Sequence, residues 1–392
     1  MVVTIVVLLI LAGISLNLVL GENGIISRAQ DARNQTVEGQ VNTEKAVNAL
    51  TDEMEDLISE NDNSGNGGNS GGSQTTVENV VIPEGYYYVG GTKAKGIVIS
   101  DNVADKELDK GKENVRRDLS GNQWVWVPVE TPSSLYTTVD AGVALAGSTG
   151  VKTTKYTNSA IIIGNTRGLP GSTDFREPDI LTDSTYADNE DRAKTAGFSS
   201  LANMAENMKS DYEEMIASLE KYKGFYIGRY ELTANGEKTG ETQTDVDWYT
   251  LYKNCTTLAV GSKVKTRMIW GLQWDATCNW LADSKFDIMD SSTWGNYSTN
   301  DATGHGSKQN TGFSESWKAN NIYDFAGNCR EYTQEAFDNF GRACRGGDYE
   351  SDGSYSPASN RNFITSTDTS SSYGSRPTLY LIPWDMEAMS SK

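Results

Sequence analysis

The succession of apolar and polar positions divides the chain into four stretches of different texture. Residues 1–20, MVVTIVVLLILAGISLNLVL, are an apolar run without a charged side chain. At ~1.5 Å rise per residue this makes ~30 Å of helix, the thickness of a bilayer core, and GENG closes the stretch at 24. A helical stalk is predicted over 25–60. In it Val47, Leu50, Met54 and Leu57 step by three and four along one face, with Val37 and Val41 as a weaker earlier turn. Residues 61–76, NDNSGNGGNSGGSQTT, have no apolar side chain at all. They predict a Gly/Ser/Asn tether with an r.m.s. reach of roughly 20–24 Å.

From Val77 to Lys392 the texture is that of a folded domain. VIPEGYYYVGG, GNQWVWVPVE and KGFYIGRYELT are short aromatic and β-branched runs bounded by Gly, Pro and Asn, and they predict strands. Ser199 to Tyr222 predicts the best helix of the domain, with Met204, Met208, Tyr212 and Met215 spaced by four, four and three. A second helix is expected over Met268 to Leu281. The stretches 284–317 and 338–373 are polar, rich in Gly and Ser, and low in periodicity. The fold class expected is α+β and loop-rich, preceded by the long hydrophobic helix, with nine Trp and nineteen Tyr to build the core.

Charge narrows the partners. A net charge of −19 argues against nucleic acid, which clustered Lys and Arg hold, and against an anionic membrane surface. No Lys or Arg precedes the apolar run, so a cleaved signal peptide is the poorer reading and a membrane anchor with the acidic bulk exported the better one.

Residues Met1 to Leu18 resemble the N-terminal helix of type IV pilins and secretion pseudopilins. That family's cleavage glycine and glutamate would lie upstream of Met1. A plain membrane anchor is the alternative, and the resemblance implies self-assembly through the helix.

NIYDFAGNCREYT (321–333), followed by RACRGGDY (342–349), resembles the formylglycine-generating-enzyme family, whose domain has a C-type-lectin-like fold. VIPEGYYYVGG resembles its opening strand, GFYIGRYELT the strand before the helical section, and YGSRPTLYL its closing strand. The resemblance covers about Val77 to Pro383 and implies a calcium ion. Its ligands would be the Asp324 side chain, the carbonyls of Gly327 and Cys329, and the Glu331 side chain. Hard carboxylate and carbonyl oxygens suit that ion, though Asp324 and Glu331 capping the turn by hydrogen bonds is the plainer alternative.

The family's oxidases bind copper through two cysteines shortly after RGG. In RGGDYESDGSYS those positions are Ser351 and Ser356. A protonated hydroxyl is too hard a ligand for Cu(I), so no copper and no formylglycine synthesis are expected. His305 is the lone histidine, and one histidine cannot make a facial triad. The four cysteines lack CxxC spacing. Cys329 and Cys344 lie in segments expected to run as antiparallel neighbours, which makes them the disulfide candidate, with buried free thiols as the alternative; such a bond would be worth ~3 kcal/mol.

Without the catalytic sulfurs, the segment after RGG has the composition of adaptable binding loops, with an idle solvent loop as the equal alternative. Asp348, Tyr349, Glu350, Asp352, Tyr355, Asn360, Asn362, Thr365 and Tyr373 are its candidate ligand-binding residues. The layout also resembles the variable proteins of diversity-generating retroelements, RPTL (376–379) standing for their closing sequence, which implies that related copies differ mainly between Asp348 and Ser375. The expectation is a membrane-anchored or pilin-like protein at the cell surface, displaying a non-catalytic head to an extracellular protein or glycan. A structural pilin subunit and an enzyme of another activity on the same fold are the alternatives.

Overall fold

A computed structural model describes residues 75–130, 189–337 and 341–383. The apolar run, the stalk and all but the last two residues of the tether lie outside them. Among the described residues no helix is long and apolar enough to cross a membrane.

The strands read from the sequence fall in one sheet, two of them at its middle and the first at its edge. Six strands lie in the order β3(Tyr87–Gly90), β4(Val98–Ser100), β5(Gln123–Pro128), β6(Gly224–Gly228), β14(Pro377–Leu381) and β7(Val264–Met268), and every pair is antiparallel. Val125 faces Ile227 and Leu379 faces Tyr226 and Thr266, so the β-branched and aromatic residues of distant segments meet at the centre. A second sheet orders β12(Arg361–Thr365), β11(Gly341–Arg345), β10(Arg330–Phe337) and β13(Tyr373–Ser375), with β10 and β13 parallel. Two short ribbons, β1(Thr76–Val77) with β2(Val80–Val81) and β8(Lys318–Ala319) with β9(Ile322–Tyr323), complete the strands among the described residues.

The helix of methionines is observed as α2(Leu201–Tyr222), capped by Ser200, whose side chain accepts from the Asn203 amide. It buries Met204, Met208, Met215 and Leu219 against β6 and β14. The second expected helix, α4(Gly271–Asp283), starts three residues late because Met268 closes strand β7. Two helices escaped the sequence pattern, α1(Asn189–Thr195) and α3(Trp248–Cys255), both short. The eight described tryptophans are all buried.

The two motif segments do pair. Strands β10 and β11 are antiparallel, with Glu331 opposite Arg345 and Tyr332 opposite Cys344. That register corrects the disulfide expectation. Cys344 faces Tyr332, Cys329 lies before the strand begins, and all four cysteines are free and buried. A sulfur three positions out of register is beyond disulfide reach.

Candidate functional site

The motif at 321–331 is a loop wound through left-handed backbone. Asn320, Asn321, Asp324, Gly327 and Asn328 all have positive φ, and Asn and Asp tolerate that region better than other side chains. Asn321 fastens the loop to the first strands: its side chain accepts from the Val115 amide at 3.0 Å and donates to the carbonyls of Lys95, Gly96 and Glu113 at 2.8–3.1 Å. A side chain at Gly327 would put its Cβ 2.2 Å from the Asn296 carbonyl oxygen. The Gly327 amide donates to the Gly346 carbonyl at 2.8 Å, which joins the motif to the RGG turn.

The two aperiodic stretches pack on each other at this point. Ser298 donates twice to the Ser351 carbonyl, from its amide at 3.0 Å and its hydroxyl at 2.8 Å. Ser291 donates from its amide to the Gly353 carbonyl, and its hydroxyl accepts from the Ala358 amide, both at 3.0 Å. Helix α4 supports them from beneath, where Trp274 Nε1 donates to the Ala358 carbonyl at 2.9 Å and the Trp274 ring stacks on Phe325. Two loops that look idle in the sequence make one face.

The carboxylates of the implied calcium motif are engaged otherwise. Asp324 Oδ2 accepts from the Thr311 hydroxyl at 2.9 Å and the Gly312 amide at 2.7 Å. Both Glu331 oxygens are held by Arg376, with Nε 3.1 Å from each and Nη2 2.7 Å from Oε1. The Cys329 amide donates to Glu231 Oε1 at 2.8 Å. Among the described residues no three acidic, histidine or cysteine side chains gather as metal ligands would. With a guanidinium already on Glu331, these side chains do not fit a calcium ion.

Burial governs the acids around Arg376. It raises Asp324 to about 6 and Glu331 to about 7, the latter against the pull of Arg376. It pushes Glu237 and Glu231 well above the carboxylate range, Glu231 also feeling Asp324 and Glu331.

At the positions of the oxidase cysteines, Ser351 Oγ donates to Asp348 Oδ1 at 2.6 Å and accepts from Arg330 Nη2 at 3.2 Å. Arg330 Nη2 also lies 3.0 Å from Asp348 Oδ2. Ser356 is buried and its amide donates to the Asp352 carbonyl at 2.8 Å. His305 sits in an exposed turn, its amide donating to the Ala302 carbonyl. Ser351 thus meets a carboxylate and a guanidinium.

The nine candidate ligand-binding residues divide. Glu350, Asp352, Tyr355 and Asn362 are exposed, Tyr355 at 84%, and Tyr349, Thr365 and Tyr373 are half-buried. Asp348 and Asn360 are buried. Asp348 is spent on Arg330, and the Asn360 carbonyl accepts from Arg345 Nε at 2.8 Å. Phe363, which the sequence reading did not single out, is exposed at 42% on the outer strand β12. The arginines of the segment all turn inward. Arg345 donates to Asp275 at 2.8 Å, Arg361 lies 3.1 Å from Glu335, and Arg342 lies 4.0 Å over the Trp248 ring.

Comparison with known proteins places the chain beside solved structures only. No family model matches the sequence, and no curated protein matches it. PvdO from Pseudomonas aeruginosa is similar with TM-score 0.33 and 17% identity, over 41% of this chain and 82% of that one. CarF follows with TM-score 0.32 and 13% identity, over 41% and 87%. The Treponema denticola variable protein 1 is similar with TM-score 0.25 and 12% identity, over 67% of this chain and 85% of its own. Scores and identities this low are likenesses; they fix neither the fold family nor the function of this chain.

Proposed function

We propose that the domain is a non-catalytic recognition head and that its ligand meets the face built by 286–307 and 346–360. The observation that carries this reading is the division of side chains in the second loop. Its supports point in and are hydrogen-bonded, while Glu350, Asp352, Ser354 and Tyr355 point out. A fully exposed tyrosine on a loop pinned at both ends supplies rigid contact area at low entropy cost.

The face also has a sign. Neither 286–307 nor 346–360 contains a lysine or arginine, and Asp287, Asp290, Asp301, Glu350 and Asp352 are exposed on them. Several acids elsewhere on the surface sit beside cations, as in Lys110–Glu107, Lys263–Glu84 and Lys318–Glu315. Such a face favours a basic protein surface over an anionic glycan. Display at the cell surface through the apolar N-terminal run belongs to the same proposal, with adhesion as the outcome.

Capture of the full chain on an array of proteins and glycans tests it, with Tyr355→Ala as the comparison. Loss of capture in the variant, with unchanged unfolding, supports the face; equal capture removes it. The enzymatic alternative is tested by supplying copper and a cysteine-containing sulfatase peptide, from which no formylglycine is expected.

A further inference from the structure

We infer that the Arg376 guanidinium is the domain's own cation at the motif where the resemblance calls for calcium, so that the fold holds without a divalent ion. Arg376 is the single residue between β13 and β14, and those strands belong to different sheets. It is fully buried and spends its donors on oxygens alone. Besides Glu331, Nη2 donates to the carbonyls of Tyr323 at 2.9 Å and Asp324 at 3.1 Å, and Nη1 to the Gly228 carbonyl at 3.0 Å. One carboxylate and three carbonyls from three separate segments is the kind of oxygen set that calcium gathers, satisfied by a planar cation carried in the chain.

The charges nearby agree. Glu231, Glu237 and Glu331 all act on Arg376, and Arg376 acts on Asp324, so four buried acids share the field of one permanent positive group. Asp324 Oδ1 and Glu237 Oε2 are buried without a hydrogen-bond partner. A small cation at either oxygen is the competing arrangement, and the same experiment detects it.

Thermal unfolding of the full chain in chelator and in millimolar calcium decides the question, with calorimetric titration of calcium alone into the native chain. The expected result is one midpoint in both conditions and no saturable heat. A midpoint that falls in chelator, or saturable calcium binding by the native chain, overturns the inference. Arg376→Ala should unfold at lower temperature and gain a dose-dependent rise of its midpoint with methylguanidinium or calcium. Arg376→Ala combined with Glu331→Gln should not respond. A native chain indifferent to calcium together with an Arg376→Ala variant that neither cation raises would make Arg376 an ordinary structural residue and also overturn the inference. Should Arg376→Ala not fold, Arg376→Gln, which removes the charge and keeps part of the side chain's length, serves in its place with the same expectations.

Discussion

Arg330 Nη2 and Asp348 Oδ2 lie 3.0 Å apart, tying the first residue of strand β10 to the loop that follows RGG. Ser351 closes the arrangement by bonding to both. Asp348→Asn removes the charge but keeps the shape. It leaves a largely buried guanidinium without its counter-ion, and a loss of about 2–4 kcal/mol is expected by urea unfolding. Faster amide exchange over 349–356 should accompany it, with the strands of the six-stranded sheet unaffected.

Ser351→Ala deletes two hydrogen bonds and nothing else. A loss of about 1–2 kcal/mol is expected in the same measurement. An activity that vanished in Ser351→Ala with the fold intact would contradict the non-catalytic reading.

Gly327→Ala should be among the most damaging single changes. The added Cβ meets the Asn296 carbonyl oxygen at 2.2 Å and the backbone is left-handed, so strain and collision coincide. More than ~3 kcal/mol of destabilisation, or failure to accumulate as soluble protein, is expected. Gly111→Ala serves as a control: its φ is also positive, but a Cβ there meets nothing within 4 Å.

Stability should decline as pH rises from about 5 to 8. In the folded protein Asp324 and Glu331 bind protons up to about 6 and about 7, above the ordinary 3.8 and 4.5. Raised folded values mean that the stabilisation is complete below the unfolded pKa and lost as pH climbs through the folded one. The slope is on the order of 1.4 kcal/mol per pH unit for each group that titrates. Glu237→Gln, which removes an acid with one unpartnered oxygen, should be near neutral at pH 5 and stabilising at pH 8. A flat or rising profile in wild type would contradict this.

All four cysteines should alkylate after unfolding without reductant, and none rapidly before it. Burial pushes the thiols of Cys255, Cys329 and Cys344 up, away from the reactive thiolate. Mass spectrometry counts the adducts; two instead of four would restore a disulfide.

Elements with a strong local pattern were legible in the sequence. The aromatic runs at 123–128 and 224–228 and the methionine stripe of α2 announce themselves by periodicity, and so did the pairing of β10 with β11 through the two motifs. What depends on distant partners was not. Asp348 and Glu350 look alike in a string of polar residues, yet one is buried because Arg330 arrives from another strand. Glu331 reads as a metal ligand until Arg376, forty-five residues on, is seen to hold it. Asn360, named as a ligand-binding candidate, is buried, since burial in an aperiodic segment is decided by the neighbour and not by the residue.

Inward-pointing supports have a consequence for how this head changes over time. In the loop after RGG, the backbone is pinned through Ser351, Gly353, Ala358 and Ser359, largely by main-chain groups. Asp352 caps its own turn by accepting from the Ser354 amide and hydroxyl, whereas the exposed side chains at 350 and 355 carry little of that burden. New specificities can therefore be written on those positions while the stability of the scaffold stays constant.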